Sequence, residues 1–376
     1  MRILVFSFIE NKDSSGMGKW THRLTRGLVE RGWKVTSWYR EEFALCEKLG
    51  RLAVLLHPIL FAIKLYTLRE KPYVAIVHEP SGYWVGLLNR ITGGGPKLVL
   101  MCHNVESKCS KIMKVAAELG VASEGFKNTF KFKLFRRWQG DGAIRLSDRV
   151  WCLSEEDRNY IVDELCVPES RVRRLTNGSD WTFGAKKSEP SLNTSSVLFI
   201  GGWLDVKGRM LLPKIWREIK RANTSARLTL VGVGCSSEEV LESFEPSNRR
   251  DIVVHPKVEN PEAMTAIFQE HDILLMPSLT EGSPLSLIEA MSHGIVPVAT
   301  CVGGIKDIVT HGEQGFLFDL SDQEELAVQS VLLLMKDSRL RNEMSGRAFE
   351  RGNALTWDRF CEETDADLRE MAQIPC

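Results

Sequence analysis

No run of this sequence stays apolar for the roughly 20 residues that a membrane-spanning helix needs. The nearest approach, residues 52–68, is interrupted by His57, Pro58 and Lys64. That run reads as a helix packed on a sheet, with a helix lying flat on a membrane as the other reading. Net charge is also absent, since 49 Lys+Arg balance 49 Asp+Glu. The nine cysteines include no CxxC pair, and no histidines cluster at zinc spacing, which excludes the common structural zinc modules. An odd, scattered set of thiols predicts a reducing, cytoplasmic compartment. The first residues run directly into a strand pattern, so no secretory leader is expected. No short repeat is visible, which argues against a solenoid. No Asp-x-Asp pair stands at a strand end, and Asp365-Ala-Asp367 in the polar C-terminal segment reads as surface.

The 43% hydrophobic and 26% charged residues are ordinary globular proportions and exclude disordered and collagen-like chains. With 376 residues there is room for two α/β domains. The zero net charge hides an asymmetry: residues 1–180 carry +9 and the remainder −9. A basic first half suggests contact with phosphates or a membrane surface, unless it reflects solvated faces alone.

Short β-branched runs alternate with amphipathic segments, the pattern of parallel sheets with crossover helices. Strands are expected at 2–7, 34–38, 74–78, 97–102 and 149–153, then at 197–200, 227–231, 252–255, 272–276 and 295–299. Leu24 and Leu28 give Trp20–Arg31 helical spacing, and Gly32 is placed to stop that helix. Residues 179–196 lack periodicity and are rich in turn formers, which suits a linker. The expectation is two doubly wound, Rossmann-like domains, 1–178 and 179–356, facing across a cleft, with 357–376 as a helical tail. Ligands of such folds bind at the carboxyl ends of the strands.

The most informative stretch runs from Asp272 to Gly294 and reads as strand, loop, helix and glycine stop. Ser283 is suited to cap the helix and Pro284 to open it. The free amides of Leu285 and Ser286, with the positive end of the helix dipole behind them, would then form an anion site. Glu281 lies before the helix and Glu289 inside it. Each alone is an ordinary surface carboxylate; their joint spacing around one strand–loop–helix suggests a shared ligand, with Glu289 an acceptor for paired sugar hydroxyls.

Glu281 and Glu289 with seven residues between them, followed by Ala290-Met291 and Gly294-Ile-Val-Pro-Val298, resemble the donor motif of the retaining family 4 glycosyltransferases of GT-B fold. The likeness extends to Ser147-Asp-Arg-Val-Trp-Cys-Leu-Ser-Glu-Glu-Asp157, to Val172-Arg-Arg-Leu-Thr-Asn177-Gly-Ser-Asp180, to Gly303-Gly304-Ile305 and to Asp307–Gly315. It is weakest at 40–70 and 107–145. The resemblance implies a metal-independent, retaining sugar transfer from a UDP- or GDP-sugar to an acceptor hydroxyl, with no cofactor beyond that co-substrate. It implies Glu289 on the donor ribose, Glu281 beside the transferred sugar, backbone around Ser283–Ser286 on the pyrophosphate and Lys207 as its cation. An arginine usual in the family is replaced by Gly202, and Arg209 or Lys19 would have to substitute. A phosphorylase or epimerase on the same fold and a non-catalytic binding subunit are the competing readings.

In the first half, Gly16-Met-Gly18 follows strand one, as a phosphate- or sugar-approaching loop or a plain turn. His103 closes a strand, and the resemblance places it beside the sugar's anomeric side. Residues 108–138 interleave eight Lys/Arg with Phe126, Phe130, Phe132, Phe135 and Trp138. That mixture suits an anionic membrane or a lipid-linked acceptor, or else a helix with its aromatic face on the core. Nucleic acid uses similar residues, but no such fold signature accompanies them.

Overall fold

The computed structural model describes residues 1–11, 16–43, 53–123, 130–179, 196–258, 260–319 and 323–373. The chain divides into two compact units. Unit 1 comprises Met1–Lys111, Gly125–Asn177 and Trp357–Cys376; unit 2 comprises Ile112–Glu124 and Gly178–Thr356.

Unit 1 holds six parallel strands: β1 (Arg2–Phe6), β2 (Lys34–Trp38), β3 (Val74–His78), β4 (Lys97–Cys102), β5 (Arg149–Cys152) and β6 (Val172–Arg174). Their order is β2-β1-β3-β4-β5-β6. Fully buried β3 and nearly buried β4 explain the continuous apolar runs, because helices cover both faces of such a sheet. Helix Ala53–Tyr66 packs on it as expected: Phe61 and Leu65 are fully buried, and Phe61 stacks on Phe6 at 4.2 Å. Unit 2 holds β7 (Ser196–Ile200), β8 (Arg227–Val231), β9 (Ile252–His255), β10 (Ile273–Met276), β11 (Val296–Thr300) and β12 (Phe316–Phe318), in the order β12-β11-β10-β7-β8-β9. Each sheet reverses its strand order once, between β1 and β3 and between β7 and β10. Such switch points open the crevices in which doubly wound folds bind ligands.

Three local readings are corrected. The helix expected at Trp20–Arg31 spans Gly16–Glu30, so Gly16 and Gly18 form its first turn rather than a loop. Ser283 does not cap the donor helix; Pro284 holds the cap position with extended backbone, and the helix is Leu285–Ser292. Proline has no side-chain acceptor, so this helix start is left without a side-chain cap bond. Asp367 is not at the surface. Helix Trp357–Ala372 docks on unit 1, where Asp367 accepts from Trp151 Nε1 at 2.7 Å and pairs with Arg173 at 3.0 Å and Arg149 at 3.3 Å. Asp365 accepts from Trp33 Nε1 at 2.6 Å. Burial raises the Asp367 pKa against the opposing pull of that indole and the two guanidiniums. Most of the expected linker, residues 180–195, lies outside the described residues.

Candidate active site

In unit 2 two loops meet at the switch point. One leaves β7 and makes a short turn at Asp205–Lys207; the other leaves β10 and leads to helix Leu285–Ser292. They are laced by backbone: Leu279 N–H donates to the Val206 carbonyl at 2.9 Å. Gly208, at φ +80°, lies against Pro277 so closely that a Cβ there would sit 2.0 Å from its carbonyl oxygen. Lys207 Nζ then reaches both carboxylate oxygens of Glu281, at 2.7 and 2.9 Å. Ser278 Oγ donates to the same carboxylate at 2.8 Å. Glu281 is 6% exposed, and its carbonyl accepts from Gly304 N–H at 3.1 Å. Gly303 makes that approach possible, since a Cβ on it would fall 1.8 Å from the Glu281 oxygen. The Gly303-Gly304 pair thus holds Glu281 in place by close backbone contact.

Immediately beyond, Leu287 and Ile288 both donate to the Pro284 carbonyl, which leaves the amides of Leu285 and Ser286 as the open first-turn donors. Ser283 is buried and Glu289 half-buried one turn further on. Lys207 and Glu281 are thus in contact, and Glu281 lies four residues before the helix start at Leu285. Arg209 is paired separately. Its Nε pairs with Asp205, which also accepts the Ser123 N–H at 3.0 Å and the Ser123 hydroxyl. Asp205 neutralises this guanidinium, and its own pKa is lowered by these hydrogen bonds against the opposing effect of burial. Ser123 belongs to a segment whose Ala116, Val121 and Ala122 pack with Leu279. Among the described residues no group of three or more His, Cys, Asp or Glu is placed to hold a metal ion.

Unit 1 has a different chemistry. His103 follows β4, half-buried, with Nε2 sealed from solvent and without a hydrogen-bond partner. Its ring stacks on His78, at the end of β3, with centroids 4.8 Å apart. Trp20, on the helix that begins with Gly16, meets both rings edge-on at 5.0 and 5.3 Å. Burial pushes the His103 pKa down to about 4, and burial together with its neighbour holds His78 well below the ordinary range. Both imidazoles are neutral near pH 7, so neither supplies a positive charge there. Beside them Glu79 has one oxygen sealed without a partner; burial first, then nearby Glu106, Asp141 and Asp157, push it up to about 8 against a hydrogen bond from Cys102. His78 and Glu79 were missed in the sequence. Their signal was position, since His78 closes a strand as His103 does.

The basic–aromatic stretch divides. Lys108 is buried and pairs with Asp157 at 2.6 Å and Glu156 at 3.1 Å, so it does not face a membrane. Lys111 pairs with Glu164, and Arg136 with Glu106. Trp138 is half exposed and Phe135 is 39% exposed, so neither is core. Residues 124–129 lie outside the described residues, as do the side chains of 130–134.

Comparison with known proteins gives these halves a common setting. The family model for Glycosyltransferase Family 4 matches residues 14–182, and that for Glycosyl transferases group 1 matches 194–337. An Escherichia coli UDP-Gal:alpha-D-GlcNAc-diphosphoundecaprenol alpha-1,3-galactosyltransferase is 24% identical over 75% of this chain and 72% of its own. An uncharacterized Haemophilus influenzae glycosyltransferase is 29% identical over 55% of this chain and 57% of its own length. The E. coli protein named "Putative colanic acid biosynthesis glycosyltransferase WcaL" is matched over about half of its length (25% identity, 52% of this chain, 47% of WcaL). Among solved structures, sucrose-phosphate synthase from Thermosynechococcus elongatus superposes with a TM-score of 0.75 at 16% identity, covering 99% of each chain. Anabaena HepE in complex with UDP-glucose superposes at 0.69 and 14%, covering 98% of this chain and all of that one. With both family models in register on its two α/β units, the chain belongs to the group 1, family 4 glycosyltransferases of GT-B fold.

Proposed function

We propose that this protein transfers a sugar from a nucleoside-diphosphate sugar to an acceptor hydroxyl with retention of configuration and without a metal ion. The observation that carries the reading is the Lys207–Glu281 pair at the β7/β10 switch point, in front of the Leu285–Ser292 helix start. An incoming pyrophosphate competes with Glu281 for Lys207 and meets the Leu285 and Ser286 amides. The lysine and the helix dipole together balance the charge that develops on the leaving group. Glu281, released from the lysine, turns to the transferred sugar, and Glu289 accepts from the ribose hydroxyls. His103, neutral, hydrogen-bonds on the anomeric side. The C1–O bond to phosphate breaks, the acceptor oxygen bonds C1 on the same face, and its proton passes to the leaving phosphate. No side chain is then needed as a general base.

A UDP-sugar is the favoured donor, because HepE was solved with UDP-glucose and the E. coli relative is named for UDP-Gal. That relative's name and WcaL's point to a lipid-linked or glycan acceptor in polysaccharide synthesis. Exposed Phe135 and Trp138 suit peripheral contact with the cytoplasmic membrane face that presents such acceptors. Calorimetric titration with UDP- and GDP-sugars tests the donor half. Binding that persists in EDTA and weakens in Lys207→Ala is expected; binding that requires a divalent ion would overturn the metal-free reading.

A further inference from the structure

Unit 1 has a second place where charge is concentrated, at the opposite end of its sheet from His103. Helix Gly82–Thr92 leads through Gly93-Gly94-Gly95 into β4, and helix Phe130–Leu146 leads into β5. Between these helix ends and Arg171, which precedes β6, lies a cavity of about 460 Å³. Arg90, Lys97, Arg145 and Arg171 line it, with Asp148 as the one acid. Lys97 opens the six-residue β4 that His103 follows, so roughly 20 Å of strand separates the two places.

Cations at helix C-termini have an ordinary explanation, because they complement the helix dipole. Magnitudes show that this does not suffice. Two helix ends contribute about −0.5 charge each, and Asp148 one more negative charge. The four cations exceed that by about two. Asp148 is also engaged, accepting the Leu98 N–H at 2.8 Å and lying 4.0 Å from Lys97 Nζ. Arg171 donates to the carbonyls of Arg145 and Ser147, which already satisfies one helix end. Its Nε is nevertheless sealed from solvent without a partner. Burial lowers its pKa; Asp148 opposes that, and the nearby charge of Arg90 adds to it. Arg90 is exposed and has no hydrogen bond or ion pair with a described residue. A second cavity, also about 460 Å³, shares Gly95 and Lys97 and adds Lys71, while its Arg2 and Glu70 pair with each other. There is room for more than a lone phosphate ion.

We propose that this end of unit 1 is a separate anion site, which takes a phosphate group on a ligand other than the donor nucleotide. The excess of about two positive charges matches a phosphate monoester, which carries about −1.5 to −2 at neutral pH. The site also uses part of the basic excess of residues 1–180. The phosphate belongs either to a soluble compound or to a lipid headgroup, and the two sources separate experimentally.

Inorganic pyrophosphate titrated calorimetrically into the full chain should find two sites. Lys207→Ala should remove the donor site only. Arg90→Glu should weaken the other at least tenfold without changing the melting temperature. Gly94→Asp is the second variant, since a Cβ at Gly94 meets nothing within 4 Å. Flotation with phosphatidic acid–phosphatidylcholine vesicles, whose headgroup is a phosphate monoester, is run on the same proteins. Sensitivity of pyrophosphate binding to Arg90→Glu or Gly94→Asp assigns a soluble phosphate. Sensitivity of vesicle binding alone assigns a headgroup. If neither variant alters either binding, the site does not exist.

Discussion

The two units share one architecture and differ in the electrostatics of their switch points. At the carboxyl ends of β7 and β10 the side chains are ionic: Lys207 on Glu281, and Arg209 on Asp205. At the ends of β3 and β4 they are kept neutral, with two stacked imidazoles, an indole edge and a carboxyl group whose pKa stands at about 8. A parallel sheet therefore supplies the crevice but not its polarity. Polarity follows from what each loop places opposite a buried group: buried Glu281 faces Lys207, whereas Glu79 and the two imidazoles are enclosed without an opposite charge, and burial then disfavours their charged forms. The ionic crevice suits a diphosphate, and the neutral one suits hydroxyls.

The comparison predicts that damage in one unit leaves the other's chemistry intact, and the largest test is Asp367→Ala. It leaves Arg149 and Trp151 without their buried partner, and should destabilise unit 1 by about 3–5 kcal/mol. Denaturant unfolding should show this while nucleoside-diphosphate affinity stays within twofold of the parent. A parallel loss of nucleotide binding would break the separation. Next, Lys207→Ala removes a charge-assisted contact and should weaken nucleoside-diphosphate binding by about 10–100-fold, or 1.5–3 kcal/mol, in calorimetry. His103→Ala should leave that affinity unchanged.

The neutral crevice should also have a pH signature. Glu79 has a raised pKa, so the folded state holds its proton more tightly and stability falls as pH rises towards 8. His103 and His78 both have lowered pKa values, and together they outweigh Glu79 below about pH 6.5, so stability falls as pH drops from there. Thermal unfolding of unit 1 should therefore peak near pH 6.5, and Glu79→Gln should abolish the alkaline decline. An unchanged alkaline limb in that variant would show that Glu79 is not the group titrating. The smallest effect expected is from Glu289→Ala, about tenfold in nucleotide affinity, equivalent to about 1.4 kcal/mol. A variant that binds normally would remove Glu289 from the ribose.

Much of this was legible beforehand, for identifiable reasons. Buried parallel strands such as Val74–His78 and Ile273–Met276 are continuous apolar runs and announce themselves. The three-residue edge strands Val172–Arg174 and Phe316–Phe318 are too short for any pattern. The carboxylate spacing Glu281–Glu289 was legible because both sit on one local strand–loop–helix. Sequence shows the charge of Arg209 but not the partner that holds it, Asp205. Asp367 was read as surface for the same reason: its three partners lie about two hundred residues earlier.

Those distant partners bear on how the chain is made. Helix Trp357–Ala372 belongs to unit 1, although all of Gly178–Thr356 is synthesised before it. During translation the first sheet emerges early and must wait, with Trp151 and Arg149 uncovered, until the last helix leaves the ribosome. The second sheet has all of its own strands by then. Order of synthesis and order of completion are thus reversed, and the nascent first unit is the stretch most in need of a chaperone.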